Sequence, residues 1–470
     1  MKITLYHKAF FLKQNLAPRN HDRTLRPSLR SSIPFVILVS SFSPSATLLD
    51  HSLRMKFLHA ADIHLDSPLR GLERYEFAPV GQIREATRRA FENLAQLAIQ
   101  ERVDFLLIAG DLYDGDWPDY GTGIFFLRQM GRLREAGIPV FLIRGNHDAY
   151  SQITKELRLP ENVRVFPTKE AGSHVMDDLG VAVHGRSFAT AAVTENLAIS
   201  FPKAIPGYLN IGLLHTSATG FEGHENYAPC SIADLEAKRY DYWALGHVHV
   251  RTELKQGDPW IVFPGNIQGR HARETGPKGA SLITGENGRI ASVEHRPLDV
   301  VRWAQSKIDI AGCESVEDVI AVTQRRMEEE RDRAGGRLLA VRILLRGACN
   351  AHSRIAAKPE QFLNQLRCLA NDLGEVWLEQ ARFETSPDPR GGASAAREDA
   401  IGHLLTEARS QCDDPAELSK LAAELDPLKK KLPPELLDEL RLDDPARFRE
   451  LLAEAEQLLL PRLLAMDAPE

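Results

Sequence analysis

The sequence predicts an α/β fold: a β-sandwich flanked by helices, then a small α+β domain and a helical C-terminal tail. Three observations predict it. From Met55 onward, apolar runs of strand length alternate with stretches of helical periodicity. Near residue 301 the alternation restarts as a shorter β-α-β-α-β pattern. Over the last 70 residues the helical spacing continues and the strand signal disappears.

Taken in order, MKFLHAA (55–61) reads as a buried strand. Ile83–Glu101 is a helix by the spacing of Ala90, Leu94, Leu97 and Ala98. VDFLLIAGD is a strand that ends in Gly110-Asp111, and GIFFLRQMGRLREAG is a helix closed by Gly137. IPVFLIRGNHD is the next strand, and this βαβαβ rhythm implies a parallel sheet covered on both faces. Shorter strands follow in VAVHGRSF, LNIGLLHT, YDYWALGHVH and WIVFPGN. Residues 55–300 form the first domain, 301–385 the second and 386–399 a linker rich in Pro, Gly, Ser and Ala. In the tail, 400–470, Phe448, Leu451, Leu452, Ala455, Leu458 and Leu459 share one helical stripe.

Composition narrows the class. A chain of 470 residues with 43% hydrophobic and 26% charged content suits a soluble protein of two or three domains. A net charge of −7 excludes a globally basic nucleic-acid binder but leaves a local cationic face open. The five cysteines are scattered, with no C-x-x-C pair, which excludes a disulfide scaffold and a thiolate zinc site and fits the cytoplasm. No apolar run approaches the roughly 20 residues that span a bilayer. Residues 1–54 carry eight Lys/Arg against two Asp, much Ser and Pro, and one apolar patch, Ile33–Val39. That patch lies too far from the start for a secretory signal, and no A-x-A site follows it. A transit peptide is conceivable. The preferred reading is a disordered upstream extension from an early start codon, so that a chain beginning at Met55 folds and acts.

The chemistry sits in five short segments: Asp62-x-His64, Gly110-Asp111, Gly145-Asn146-His147-Asp148, Leu214-His215 and Gly246-His247-x-His249. Each closes an apolar run. Alternation along a strand would let Asp62 and His64 reach one ion together, and His247 and His249 likewise. Strands ending at one edge of a parallel sheet would bring all five into one cleft. Singly, each is an ordinary turn or a hydrogen-bonded histidine; as an ordered set they point to a metal centre. Imidazole, carboxylate and amide oxygen without thiolate favour Mn, Fe, Zn or Mg-like ions.

In this order the segments resemble the calcineurin-like metallophosphoesterases. HAADIHLDSPL, LLIAGDLYD, GNHD, LGHVH and FPGNIQGRHARETGPKG are similar to the SbcD-type and Mre-type DNA repair nucleases, closest in wording to their bacterial YhaO branch. The resemblance implies a dinuclear site, with Mn as the working metal. One ion would take Asp62, His64, Asp111 and His249, and the other Asp111, Asn146, His215 and His247. His147 matches the position that stabilises the transition state or protonates the leaving 3′ oxygen. Beside it, Asp148 reads equally as a residue that orients its loop or a histidine and as a turn residue that satisfies backbone N–H groups. Asp114 stands where Mre-type enzymes have a histidine, which leaves endonuclease behaviour without support.

Arg270, His271, Arg273 and Lys278 lie on a Gly/Pro-rich loop suited to phosphate contacts without base reading. By the same resemblance, the second domain caps the site and guides a DNA end, the C-terminal helices dock on an SMC-like ATPase, and the nuclease pairs as a homodimer. The expected activity is Mn-dependent 3′→5′ DNA exonuclease action in repair, in the cytoplasm. Its rivals are a phosphodiesterase or phosphatase for small or protein substrates and a non-catalytic DNA-end-binding subunit. For the tail, packing on its own domain stands as an equal reading.

Overall fold

The computed structural model describes residues 54–67, 78–115, 120–150, 157–218, 227–388 and, with short breaks, 403–466. Residues 1–53 of the expected extension 1–54 and residues 389–399 of the expected linker 386–399 lie outside them, whereas Arg54, Ser386 and Pro387 belong to strands, which corrects those two boundaries.

Strand β1 (Arg54–Ala60) leads to helix α1 (Val80–Glu101), β2 (Phe105–Ala109), α2 (Gly121–Glu135), β3 (Val140–Ile143), the short α3 (Asn146–Tyr150) and β4 (Val163–Val165). Helix α1 forms because Ile83, Ala86, Ala90, Phe91, Leu94, Ala95 and Ala98 recur along one face and all become buried. Helix α2 ends at Gly137, whose φ of 74° is the left-handed conformation expected of that closing glycine. Next come β5 (Gly172–Met176), β6 (Val181–Arg186), β7 (Leu209–His215), α4 (Ile232–Glu236), β8 (Tyr242–Gly246), β9 (Thr252–Lys255) and β10 (Trp260–Phe263). The hairpin β11 (Gly279–Glu286) and β12 (Arg289–Pro297) closes the first half.

These strands form two six-stranded mixed sheets, ordered β12-β11-β1-β2-β3-β4 and β5-β6-β7-β8-β10-β9. Alternation along β2 explains how they stack. Phe105, Leu107 and Ala109 share a core with Ile211, Leu213, Tyr242 and Ala244 of the other sheet, while Leu106 and Ile108 pack on the side of α1 and α2. The expected parallel sheet is therefore the β1–β4 core of the first sheet. One of its faces is covered by helices and the other by the second sheet. The β11–β12 hairpin, absent from the sequence reading, pairs antiparallel with β1.

A third sheet, β13 (Val301–Asp309), β14 (Leu338–Cys349) and β15 (Val376–Pro387), is wholly parallel. Helix α5 (Val316–Ala334) joins its first two strands, and α6 (His352–Ala357) with α7 (Pro359–Asp372) joins the last two. Ser315 and Asp318 form a capping box at the start of α5. This unit meets the sandwich through Val301, Trp303, Leu338, Ala340 and Trp377, packed on Ile83 and Ala86 of α1 and on Ala272. In the tail, α8 (Pro415–Glu424), α9 (Asp426–Lys429) and α10 (Pro445–Met466) follow. Helix α10 packs on α6 and α8, and buries Phe448 while Leu459 stays exposed. Among the described residues, no helix is long and apolar enough to cross a membrane.

Candidate metal centre

The C-terminal ends of β1, β2 and β3 in one sheet and of β7 and β8 in the other open onto a common edge. There the five segments meet. Both Asp62 carboxylate oxygens accept from the His247 N–H at 3.0 Å, which ties the end of β1 to the end of β8 across the sandwich. Asp111 Oδ2 lies 3.5 Å from His215 Nε2 and 3.8 Å from His64 Nε2. His215 Nε2 is 2.9 Å from Asn146 Oδ1, and His64 Nε2 is 3.2 Å from His249 Nε2.

The backbone, not strand alternation, aims these groups. Asp62, His64, Asp111 and His247 all lie past the ends of their strands, with φ of 50°, 45°, 50° and 106°. Left-handed backbone costs a non-glycine residue on the order of 1–3 kcal/mol, so four in one cleft mark a place where packing overrides local preference. Two close approaches need glycine. A Cβ on Gly145 would overlap the Asp111 carboxylate, and one on Gly246 would overlap the Ala109 carbonyl. The expectation that His247 and His249 reach one ion together is corrected here. His249 joins His64, whereas the His247 ring stands 5.3 Å from that of His215 and contacts Tyr227.

Donor atoms gather in overlapping groups within 4.8 Å: Asp62, His64 and His249; Asp62, Asp111 and His215; and His64, Asp111 and His147. Divalent cations fit this donor set. Among the described residues no Lys or Arg pairs with Asp62 or Asp111, both of which are at most 2% exposed. The His64 Nδ1 is buried without a hydrogen-bond partner, with Asp114 Oδ1 3.5 Å away. Two further histidines have their far nitrogens held so that Nε2 faces the cleft. His215 Nδ1 donates to the Ala109 carbonyl at 2.9 Å, and His249 Nδ1 meets Glu274 Oε1 at 2.7 Å. A carboxylate or carbonyl behind each imidazole is what orients a metal-binding histidine.

The electrostatics agree. Burial pushes the Asp111 carboxyl up, but the facing His215 and His64 overcome it and hold it well below its usual range. Burial opposes charge on His215 too, yet Asp111 and Asp62 raise it to about 9. A proton thus stands where a cation would satisfy the same oxygens, and binding a cation would release it. Burial and His249 dominate at Asp62, with desolvation the larger, so its carboxyl is raised.

His147 is half-exposed; its Nδ1 sits 2.7 Å from Asp114 Oδ1, its ring is edge-on to His64 at 4.9 Å, and its backbone N–H donates to Asp111. Asp114 therefore belongs to the site, a role the sequence reading missed; the signal was an acidic residue three positions after Asp111. Asp148 is buried and accepts from the N–H groups of Leu112, Tyr113 and Gly145, so it clamps the β2 and β3 exits together. Burial and the nearby Asp111 raise its carboxyl to about 6.

The four loop residues expected to contact DNA divide. His271 and Arg273 are exposed. Arg270 turns inward, 3.3 Å from Ser67 Oγ and 3.6 Å from Asp114 Oδ2. Lys278 is buried, and its Nζ donates to the His249 carbonyl at 2.8 Å. Glu274, also unanticipated, is buried beside them; burial pushes its carboxyl up, but the His249 hydrogen bond and Arg270 bring it well below the usual range.

Comparison with known proteins places this geometry in a family. The family model for calcineurin-like phosphoesterases matches residues 55–251, and that for the middle domain of the metallophosphoesterase YhaO matches residues 303–386. The uncharacterized metallophosphoesterase YhaO of Bacillus subtilis is 34% identical over 62% of this chain and 72% of its own length. The DNA double-strand break repair protein Mre11 of Sulfurisphaera tokodaii is 28% identical over 53% of this chain and 64% of its own. Its namesake from Haloferax volcanii is 26% identical over 56% and 57%. With the paired sheets, the donor-rich edge and the YhaO middle domain in one chain, this protein belongs to the calcineurin-like metallophosphoesterases of SbcD/Mre type, a family of phosphoester hydrolases that use divalent metals.

Proposed function

We propose that the protein is a Mn-dependent DNA exonuclease that hydrolyses phosphodiester bonds 3′→5′ at a dinuclear site. The observation that carries this reading is the overlap of donor groups on Asp111, which faces His64 on one side and His215 on the other. Asp62, His64, Asp111 and His249 would hold one ion, and Asp111, Asn146, His215 and His247 the other. Two such ions would supply an activated attacking water and neutralise charge on the phosphate oxygens.

The chain's own groups do the rest. Asp114 fixes His147 through Nδ1, which leaves Nε2 to give a proton to the leaving 3′ oxygen. Asp148 keeps the Gly145 turn against the β2 exit, so that Asn146 and His147 are presented together. His271 and Arg273 meet the DNA backbone, whereas Arg270 and Lys278 organise the site. Residues 55–300 act as the nuclease domain and 301–385 as a cap over the DNA path. The tail docks on an SMC-like ATPase. Exposed Leu404, Leu428, Leu436 and Leu459 support a partner surface there, even though part of α10 is already packed on α6. The relatives named for double-strand break repair support DNA as the substrate.

The test incubates the protein with Mn and end-labelled duplex DNA, beside bis-p-nitrophenyl phosphate. Stepwise release of nucleotides from 3′ ends supports the proposal. Hydrolysis of the small ester alone would assign a different phosphodiesterase, and DNA retention without hydrolysis would assign an end-binding subunit.

A further inference from the structure

The two halves of the donor set rest on different parts of the molecule. His215, Asn146 and His247 are held by the sandwich: by the Ala109 carbonyl, by the turn that Asp148 clamps, and by Asp62. His249 is held by Glu274, whose Oε1 lies 2.7 Å from its Nδ1. Glu274 belongs to the loop 269–276, and that loop is fastened to the cap strand β13. Trp303 Nε1 donates to the Gly269 carbonyl at 2.9 Å, and the Gly276 N–H donates back to the Trp303 carbonyl at 3.1 Å. Between them, Gln305 Nε2 donates to the Ala272 carbonyl at 2.6 Å. Ala272 itself is buried among Val301, Trp303, Leu338 and Trp377.

We propose that Glu274 is a positioning residue through which the cap domain controls the ion shared by His249, Asp62 and His64, while the ion at His215 is indifferent to the cap. The inference rests on the dinuclear reading above and deepens it. Glu274 Oε2 is also committed, to the Asn266 side-chain amide at 2.9 Å and the Arg270 N–H at 2.7 Å. The carboxylate is thus held at both oxygens, while its backbone and the Arg270 N–H tie it to the loop, so a shift of the loop strains its hold on His249. A displacement of β13, by a DNA end or by a partner pulling on the cap, would carry Ala272 and Glu274 with it and withdraw the support behind His249. The path consists of contiguous hydrogen bonds and buried packing, the medium through which a distant element can couple to a site, and the variants below test that coupling. Arg270 rides on the same loop and reaches Ser67 and Asp114, so cap position reaches His147 as well.

The test is Mn binding by the full chain, followed by isothermal titration calorimetry and by the spin-coupled signal of a Mn pair in electron paramagnetic resonance. Three variants are compared with wild type: Glu274→Gln, Trp303→Phe and Gln305→Ala. The last two touch no proposed ligand. Each is expected to weaken one of two Mn sites about 10–100-fold, the range for loss of a partner behind a metal ligand, and to leave the other unchanged. The pair signal should fade while the single-ion signal persists. Thermal melting without metal identifies any variant that has merely lost its fold; the remaining variants then decide. Two sites of unaltered affinity in the cap variants, or an equal loss at both sites, would overturn the coupling while leaving the dinuclear centre standing. Wild type that binds fewer than two ions would remove the dinuclear reading itself, and this inference with it.

Discussion

Asp111 serves both donor groups because it is held from three directions. Its Oδ1 accepts the His147 N–H at 3.0 Å, and its Oδ2 faces two imidazoles. The left-handed backbone at Asp111 and the bare Gly145 beside it make room for that pose. His147, by contrast, is anchored by Asp114, which belongs to neither proposed ligand set. Replacing it by Ala should leave Mn occupancy intact and lower the hydrolysis rate about 10²–10⁴-fold, the effect of losing a general acid. Asp114→Asn should lower the rate in the same direction but less, since the ring remains and only its anchor weakens. Single-turnover assays beside metal analysis separate the two effects, and metal loss in His147→Ala would contradict the assigned role. At this scale the residues that meet at the site were legible from Asp62-x-His64, Gly-Asp and Gly-Asn-His-Asp. Their aim was not, because it depends on left-handed φ values that no side-chain pattern announces. Glu274 and Lys278 were obscure for a different reason: a charged loop residue that turns inward is indistinguishable in sequence from one that faces water.

The elements matter because they bring those strand ends to one edge. β1 is central to the first sheet, with β2 on one side and β11 on the other. Phe57 of β1 is fully buried and stacks on Phe105 of β2 at 4.8 Å, with the Tyr242 ring edge-on from the second sheet at 5.4 Å. Phe57→Ala should cost about 3–5 kcal/mol, the usual penalty for emptying a core aromatic site, and urea titration would measure it. A loss below about 1 kcal/mol would mean that the two sheets repack around the gap. The parallel strands were legible because buried strands of that kind are continuous apolar runs. The β11–β12 hairpin was not: GASLITGE has small residues where a strand signal is sought, and RIASVEHRP alternates only weakly. Its burial comes from β1 beside it, from α1 on one face and from the second sheet on the other, a tertiary cause.

The whole molecule stores a pH dependence in its sandwich interior. His59 is fully buried between the sheets, 3.0 Å from the Tyr242 hydroxyl and 3.1 Å from the Leu245 carbonyl. A carbonyl only accepts, so Nε2 carries the proton and the bare Nδ1 accepts from the tyrosine. Burial lowers this histidine from 6.5 to about 3, so the folded protein keeps it neutral where the unfolded chain would take up a proton. Its contribution is present above pH 6.5 and is lost as pH falls toward 3. Relative to His59→Gln, which can keep both hydrogen bonds without titrating, wild type should lose about 1.4 kcal/mol per pH unit between roughly pH 6 and 4. Denaturant titrations at several pH values give that difference, and a constant gap would place His59 outside the titrating set. The restart of the β-α-β pattern near residue 301 and the helical run of the tail were legible from changes of periodicity alone. The link from β13 to the loop behind the donor cluster was not, because it runs through backbone carbonyls of the 269–276 loop, which carry no sequence signature.

The account stands on a pair of cations shared across Asp111. Anomalous scattering from crystals soaked in manganese measures this directly. Two peaks about 3.5–4 Å apart are expected, one beside His64 and His249 and the other beside Asn146, His215 and His247, with Asp111 between them. A single peak, or two that do not share Asp111, would contradict it.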